Sequence, residues 1–268
     1  MKLRKMTGAG MMDCKKALQE AEGDFERAKD IIREKGKLVV AKRSDRTATE
    51  GFVTTKIVGN KAYILCLACE TDFVAQNSEF GASANAILDI AVNADAADRE
   101  TLLAVKNAEG NTVEEIVTEK SGQTGEKVEL AYYARIEAPY CVGYVHFNKK
   151  LGTILGFNKA IDEEVAKKVA MQATAMAPIS IDENDCPADV VEKEKAIALE
   201  MMKQDPKNAN KPEAILEKIA EGKMRKFFEE NTLLNQCVVG EKESIREFIQ
   251  RADKEATVVA YKRFALEA

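Results

Sequence analysis

Cys66 and Cys69 form a Cys-x-x-Cys pair, the spacing used by zinc sites and dithiol redox centres. They fall on the apolar run Ala62-Tyr63-Ile64-Leu65-Cys66-Leu67-Ala68-Cys69, which reads as a buried strand. Residues three apart on a strand point to opposite faces, and no second ligand pair accompanies these two, so packing is their expected role. His146 is the single histidine, which excludes any mechanism needing two and argues against a Ser-His-Asp triad. Neither a glycine-rich phosphate loop nor a metal-ligand cluster is visible. No catalytic residue, metal ligand or cofactor is expected, and the chain does not read as an enzyme. The stretch that stands out is Thr71-Asp72-Phe73-Val74-Ala75, directly after the strand and Glu70. Thr71 and Asp72 both have side chains able to cap backbone donors, which places Phe73 at the tip of a turn. Taken alone, Phe73 reads as a core residue tucked under that turn, since most Phe side chains are buried. The rest of the chain moves the reading outward.

The elements around this turn follow from pattern. A chain of 268 residues exceeds the usual single domain, and 46% hydrophobic with 32% charged residues suits a globular protein with a sizeable core. No apolar run approaches the roughly 18 residues of a membrane span, and the start, Met1-Lys2-Leu3-Arg4-Lys5, lacks a signal-peptide core. The six cysteines (14, 66, 69, 141, 186 and 237) are accordingly expected to be reduced, in a cytoplasmic protein with no membrane partner. Net charge is −5, unevenly spread: residues 1–46 hold 13 Lys and Arg against 8 Asp and Glu, a basic end on an acidic body. That argues against direct nucleic-acid binding, which needs a basic stripe over a large surface, and fits docking on an acidic partner or plain solvation.

Residues 1–36 read as three short helices: Lys2 to Met6, Met11 to about Ala21, and a helix capped by Asp24 that runs through Lys35 and stops at Gly36. The first is followed by the glycine turn Thr7-Gly8-Ala9-Gly10. Cys14, Ala17, Leu18 and Ala21 form the inner stripe of the second helix, and Phe25, Ala28 and Ile32 that of the third. At about 100° per residue, Met12 lies roughly 160° from Cys14 and Met11 roughly 60°, so at least one methionine faces water. An exposed methionine here is either an adaptable docking residue or a scattered surface residue. Residues 37–50 read as a polar, partly helical linker. An internal repeat follows. Gly51-Phe52-Val53 and Gly143-Tyr144-Val145 each open a hairpin, and an alanine-rich helix follows each hairpin, at Ser78–Ala94 and Asp162–Met176. Further segments are a helix near Thr112–Ser121, a strand at Val128–Ile136 and a last strand at Thr257–Leu266. The fold class is α+β, with core subdomains at 51–140 and 141–268. A helical hairpin at about 188–230 interrupts the second. Its seam is read as Val190, Ile197 and Met201 against Leu216, Ala220, Met224 and Phe227, with a polar tip from Asp205 to Lys211 and Pro212 opening the second helix.

Thr7-Gly8-Ala9-Gly10-Met11-Met12-Asp13-Cys14-Lys15-Lys16-Ala17-Leu18 with Gly23-Asp24 resembles the amino-terminal signature of elongation factor Ts, and Thr71-Asp72-Phe73-Val74-Ala75 resembles that family's second signature. The repeat and the coiled-coil insertion follow the family's order, so the similarity covers nearly the whole chain. The resemblance implies a translation factor that exchanges nucleotide on the GTPase elongation factor Tu. It implies a ubiquitin-associated-like module at 1–36 that docks through Met11, Met12 and Lys15. It further implies that Thr71, Asp72, Phe73 and Val74 disturb the partner's magnesium and phosphate site, and that His146 meets the partner's far domains. Stoichiometry stays open between one-to-one and a dimer within a two-to-two complex. With almost nothing before Leu3 and an end soon after the last strand, weaker docking of the first helix is expected, without the contacts of an extra carboxy-terminal helix. The rival readings are a ubiquitin-associated-type adaptor with no link to GTPases, resting on residues 1–36 alone, and an enzyme using the carboxylates with Cys66 and Cys69.

Overall fold

The computed structural model describes residues 2–7, 9–204 and 213–266. Three helices open the chain: α1 (Lys2–Thr7), α2 (Met11–Glu20) and α3 (Phe25–Lys42). They close on a small core of Leu3, Ala9, Cys14, Ala17, Ala21, Ala28 and Ile32. Gly8, read as part of the glycine turn, lies outside the described residues. Asp24 caps α3 by accepting from the Glu26 and Arg27 amides. Phe25, expected in the inner stripe, is exposed at the helix's first position, with the Lys2 ammonium 5.7 Å from its ring centroid.

Gly36 does not end α3, which continues to Lys42, so the first part of the expected linker is helical. Glycine has no steric bar to the helical region, and here its missing side chain is used for packing. A Cβ on Gly36 would lie 2.8 Å from the Thr118 carbonyl oxygen, and one on Gly122 would lie 2.8 Å from the Gly36 Cα. Two helix backbones therefore touch at this point, the second being that of residues 113–124.

The body begins with β1 (Glu50–Val58) and β2 (Lys61–Cys69), antiparallel around Gly59-Asn60. The short α4 (Asp72–Ala75) follows, then α5 (Ser78–Ala94), α6 (Arg99–Ala104), α7 (Val113–Thr124) and β3 (Glu129–Glu137), which pairs with β2. The second half comprises β4 (Tyr140–Val145), β5 (Leu151–Phe157), α8 (Glu163–Met176), α9 (Ala188–Gln204), α10 (Glu213–Asn231), α11 (Ile245–Ala252) and β6 (Val258–Ala265). Its sheet has the order β4-β5-β6, repeating β1-β2-β3 of the first. The fold is α+β, as the sequence implies.

Both central strands read as continuous apolar runs because both of their faces are covered. On β2, Tyr63, Leu65, Leu67 and Cys69 face α5, α6 and α7, whereas Ala62, Ile64, Cys66 and Ala68 face the second sheet. The outer face of β5 packs Leu155 and Phe157 on α8 and α11. The layers are thus helices, sheet, sheet, helices. The two sheets meet closely at β5, where a Cβ on Gly156 would lie 2.4 Å from the Ala138 Cβ.

Between α8 and the last strand, α9 and α10 pack on each other. Among the described residues, Ala198, Met202 and Met224 are their buried apolar side chains. Ile197 and Met201, assigned to the seam from sequence, are exposed. Ala198 and Met202, four residues apart on one face, are buried instead, and Val190 of the expected seam is half-buried. Asp205–Lys211 and Pro212 lie outside the described residues. Among the described residues, no helix is long and apolar enough to cross a membrane.

Candidate functional site

The strand β2 is among the most deeply buried parts of the chain, and the chain leaves it at Cys69 to make a tight, exposed turn. Thr71 has extended backbone and caps the single turn α4, its hydroxyl accepting from the Val74 amide at 3.4 Å. Val74 is half-buried and packs on the core beneath, while Ala75 is buried. These two anchor the turn from below. Phe73 points away from the core, 89% exposed. Asp72 shares the exposed face, and its carboxylate makes no hydrogen bond or ion pair among the described residues. Of the two residues read as possible caps, only Thr71 serves.

A four-residue helix has no stability of its own, because its nucleation cost is not recovered over so few bonds. Two carboxylates hold it here. Glu126 Oε2 accepts the Glu70 and Thr71 amides, both at 3.1 Å, and Oε1 accepts the Thr71 hydroxyl at 2.6 Å. In return, Glu70 accepts the Lys127 amide at 2.6 Å. Glu70 also receives Arg43 Nη1 at 2.7 and 2.8 Å on its two oxygens and Arg46 Nη1 at 2.9 Å. Burial alone would raise the Glu70 carboxyl, but the Lys127 amide and the two guanidiniums outweigh it and hold the group at about 2. Arg43 closes the C-terminus of α3, so this network joins the amino-terminal helices to the turn.

A second exposed aromatic lies at the same end. The β4–β5 turn carries Phe147, 84% exposed, beside half-buried His146, with ring centroids 4.5 Å apart. His146 Nδ1 lies 3.2 Å from the Tyr144 hydroxyl. This turn is stitched to β1 by the Val53 amide, which donates to the Lys149 carbonyl at 2.7 Å, and by the Lys150–Glu50 pair at 2.5 Å. A groove of about 810 Å³ separates it from α4, lined by Phe52, Asp72, Gln76, Asn77, Phe147 and Lys149 among others. The sequence reading named His146 and missed Phe147. A bulky apolar residue before the turn residues Asn148-Lys149 was the available signal.

Met11 and Met12 are 64% and 62% exposed on α2, and Lys15 is exposed beside them. Met11 and Lys15 also line a groove of about 360 Å³ between α1 and α2. Both methionines therefore face solvent, where at least one was expected to. Cys66 and Cys69 occupy opposite faces of β2, both buried. Burial pushes the Cys69 thiol up to about 12 and Cys66 higher still, far from reactive thiolates. Among the described residues, no cluster of His, Cys, Asp or Glu is arranged to hold a metal ion. The site is a surface of exposed apolar side chains on a braced scaffold, suited to contact with another macromolecule.

Known proteins are similar to this chain in sequence. The family described as Elongation factor TS matches residues 70–268. The Elongation factor Ts of Porphyromonas gingivalis is 44% identical over 268 residues, covering 100% of this chain and 96% of its own length. That of Christiangramia forsetii is 42% identical over 270 residues, covering 99% and 96%. That of Bacteroides thetaiotaomicron is 40% identical over 321 aligned positions, covering 100% and 97%. These alignments take in the Met11–Lys15 face, which the family match leaves out.

Proposed function

The chain belongs to the elongation factor Ts family, a family of translation elongation factors, and from that premise we propose that it is a guanine-nucleotide exchange factor for elongation factor Tu. The observation that carries this reading is the Phe73 ring, exposed at the tip of a turn that follows a buried strand. A GTPase holds its nucleotide through backbone donors around the phosphates and a bridging Mg²⁺, so distorting that cradle loosens the ligand. Phe73 inserts between partner side chains near the magnesium site, with Asp72 beside it and Thr71 and Val74 fixing the turn. By linkage, a protein that binds the empty partner more tightly than the loaded one weakens nucleotide affinity by the same factor. No bond is made or broken in this mechanism, and the buried Cys66 and Cys69 thiols, held far from ionisation, take no part in it.

Residues 1–36 act as a ubiquitin-associated-like module that docks through Met11, Met12 and Lys15. Residues 51–140 and 141–268 act as two core subdomains, the second contacting the partner through His146 and Phe147, and α9 and α10 form a coiled-coil arm. The test is release of fluorescent GDP from elongation factor Tu with and without the chain. Acceleration supports the proposal, and release at the spontaneous rate refutes it. An adaptor built on the amino-terminal helices alone would bind the partner's empty form no better than its loaded form in a pull-down.

A further inference from the structure

We propose that Glu126 is a positioning residue for Phe73, holding the ring outward through a reciprocal exchange with Glu70. Two chain segments far apart in sequence are locked here by each other's carboxylates. Glu126 takes the amides of Glu70 and Thr71 and the Thr71 hydroxyl, and Glu70 takes the Lys127 amide. Three donors from the two residues that lead into α4 therefore end on one side chain. Without it, the Thr71 hydroxyl and the Glu70 and Thr71 amides lose their acceptor, and the turn keeps the 3.4 Å Thr71 cap, the Cys69 thiol on the Thr71 carbonyl, its own backbone bonds and the anchors Val74 and Ala75 below. An exposed phenyl ring on a loosened turn would fall onto nearby apolar surface, since burial from water is favourable wherever the backbone permits it.

Glu126 itself stands on a fixed base. It follows Gly125, the left-handed C-cap of α7, and its amide donates to the Thr124 hydroxyl at 3.2 Å. The same helix meets α3 at Gly36 and Gly122. Arg43 and Arg46, just beyond that crossing, close on Glu70 from the other side. The direction of the Phe73 ring is thereby referred to the amino-terminal helices, and the loop is ordered in advance, so less is lost when the ring inserts.

This deepens the proposed function and rests on it only for the exchange readout. The chain contains no tryptophan, so Phe73→Trp supplies a single indole at the tip. In the free chain, anisotropy decay of that reporter is expected to show restricted local motion. Adding Glu126→Ala introduces a fast component of large amplitude, and adding Glu126→Gln, which keeps a carbonyl acceptor, restores most of the restriction. In GDP release with Phe73 intact, Glu126→Ala lowers the maximal rate about tenfold while the half-saturating concentration rises less than about threefold, because other surfaces carry the docking and the cost of ordering the turn falls on the later step in which the ring inserts. Anisotropy unchanged by Glu126→Ala overturns the proposal, as does a loss confined to the half-saturating concentration. If Glu126→Ala does not fold, Glu126→Asp, which keeps the charge but withdraws it from the turn by one methylene, takes its place, and the same two measurements on it support or overturn the proposal in the same way. A wild-type chain that fails to speed release refutes the exchange function, and the anisotropy experiment still decides the positioning role.

Discussion

A phenylalanine left in water forgoes about 1.5–3 kcal/mol that burial would provide. Phe73 and Phe147 both forgo it, at one end of the molecule and on turns held by polar contacts. Energy not gained in the free chain becomes available at an interface, where aromatic anchors commonly dominate binding. Asp72 has no internal partner to lose among the described residues, so Asp72→Ala is expected to leave the melting temperature unchanged and to slow GDP release by about fivefold, as for a contact worth about 1 kcal/mol. A larger loss than that of Phe73→Ala would show their roles reversed. Phe147→Ala is expected to raise the half-saturating concentration about fivefold with little change in maximal rate, which titration of the release rate measures. An unchanged titration would remove Phe147 from the interface.

At the scale of elements, the close crossing of α3 and α7 makes its own prediction. Alanine in a helix is favoured over glycine by about 1 kcal/mol. A Cβ at position 36 would nevertheless lie 2.8 Å from the Thr118 carbonyl oxygen, a backbone atom that moves only with its helix. Overpacking of about 1–3 kcal/mol therefore exceeds the propensity gain, and Gly36→Ala is expected to destabilise the chain in chemical denaturation. Stabilisation would show that the helices part freely. The hairpins, the helix after each and the last strand were legible because their signals are local: alternation, turn glycines and capping side chains. Gly36 was misread because a glycine that ends a helix and one that admits a neighbouring helix look alike in sequence. The same holds for α9, where small Ala198 and not bulky Ile197 faces inward. The helix α11 escaped notice although Ser244 and Glu247 form a capping box at its start. The Glu126–Thr71 and Glu70–Lys127 contacts could not be read, since partners 55 and 57 residues apart leave no periodic trace.

Across the whole molecule, the basic amino-terminal end, the braced turn and the β4–β5 turn are the surfaces through which the proposed function has the chain meet its partner. Met12→Asp, placed on an exposed helix face, is expected to weaken complex formation about tenfold in a binding titration without moving the melting temperature. Unfolding instead would mean that Met12 is structural. The Glu70 network adds a pH dependence whose sign follows from its lowered carboxyl. The group is held at about 2 against an ordinary 4.5, so its stabilisation is complete above about pH 4.5 and is lost as pH falls toward 2. Thermal melts from pH 6 to pH 3 should therefore show a shallower decline for Glu70→Gln than for the wild type, and parallel curves would contradict the network. The central claim rests on one ring, and GDP release from elongation factor Tu at saturating chain tests it directly. Phe73→Ala is predicted to lower the release rate about 30-fold or more with an unchanged melting temperature, as for loss of an aromatic anchor of about 2 kcal/mol. A folded Phe73→Ala chain that releases GDP as fast as the wild type would contradict the account.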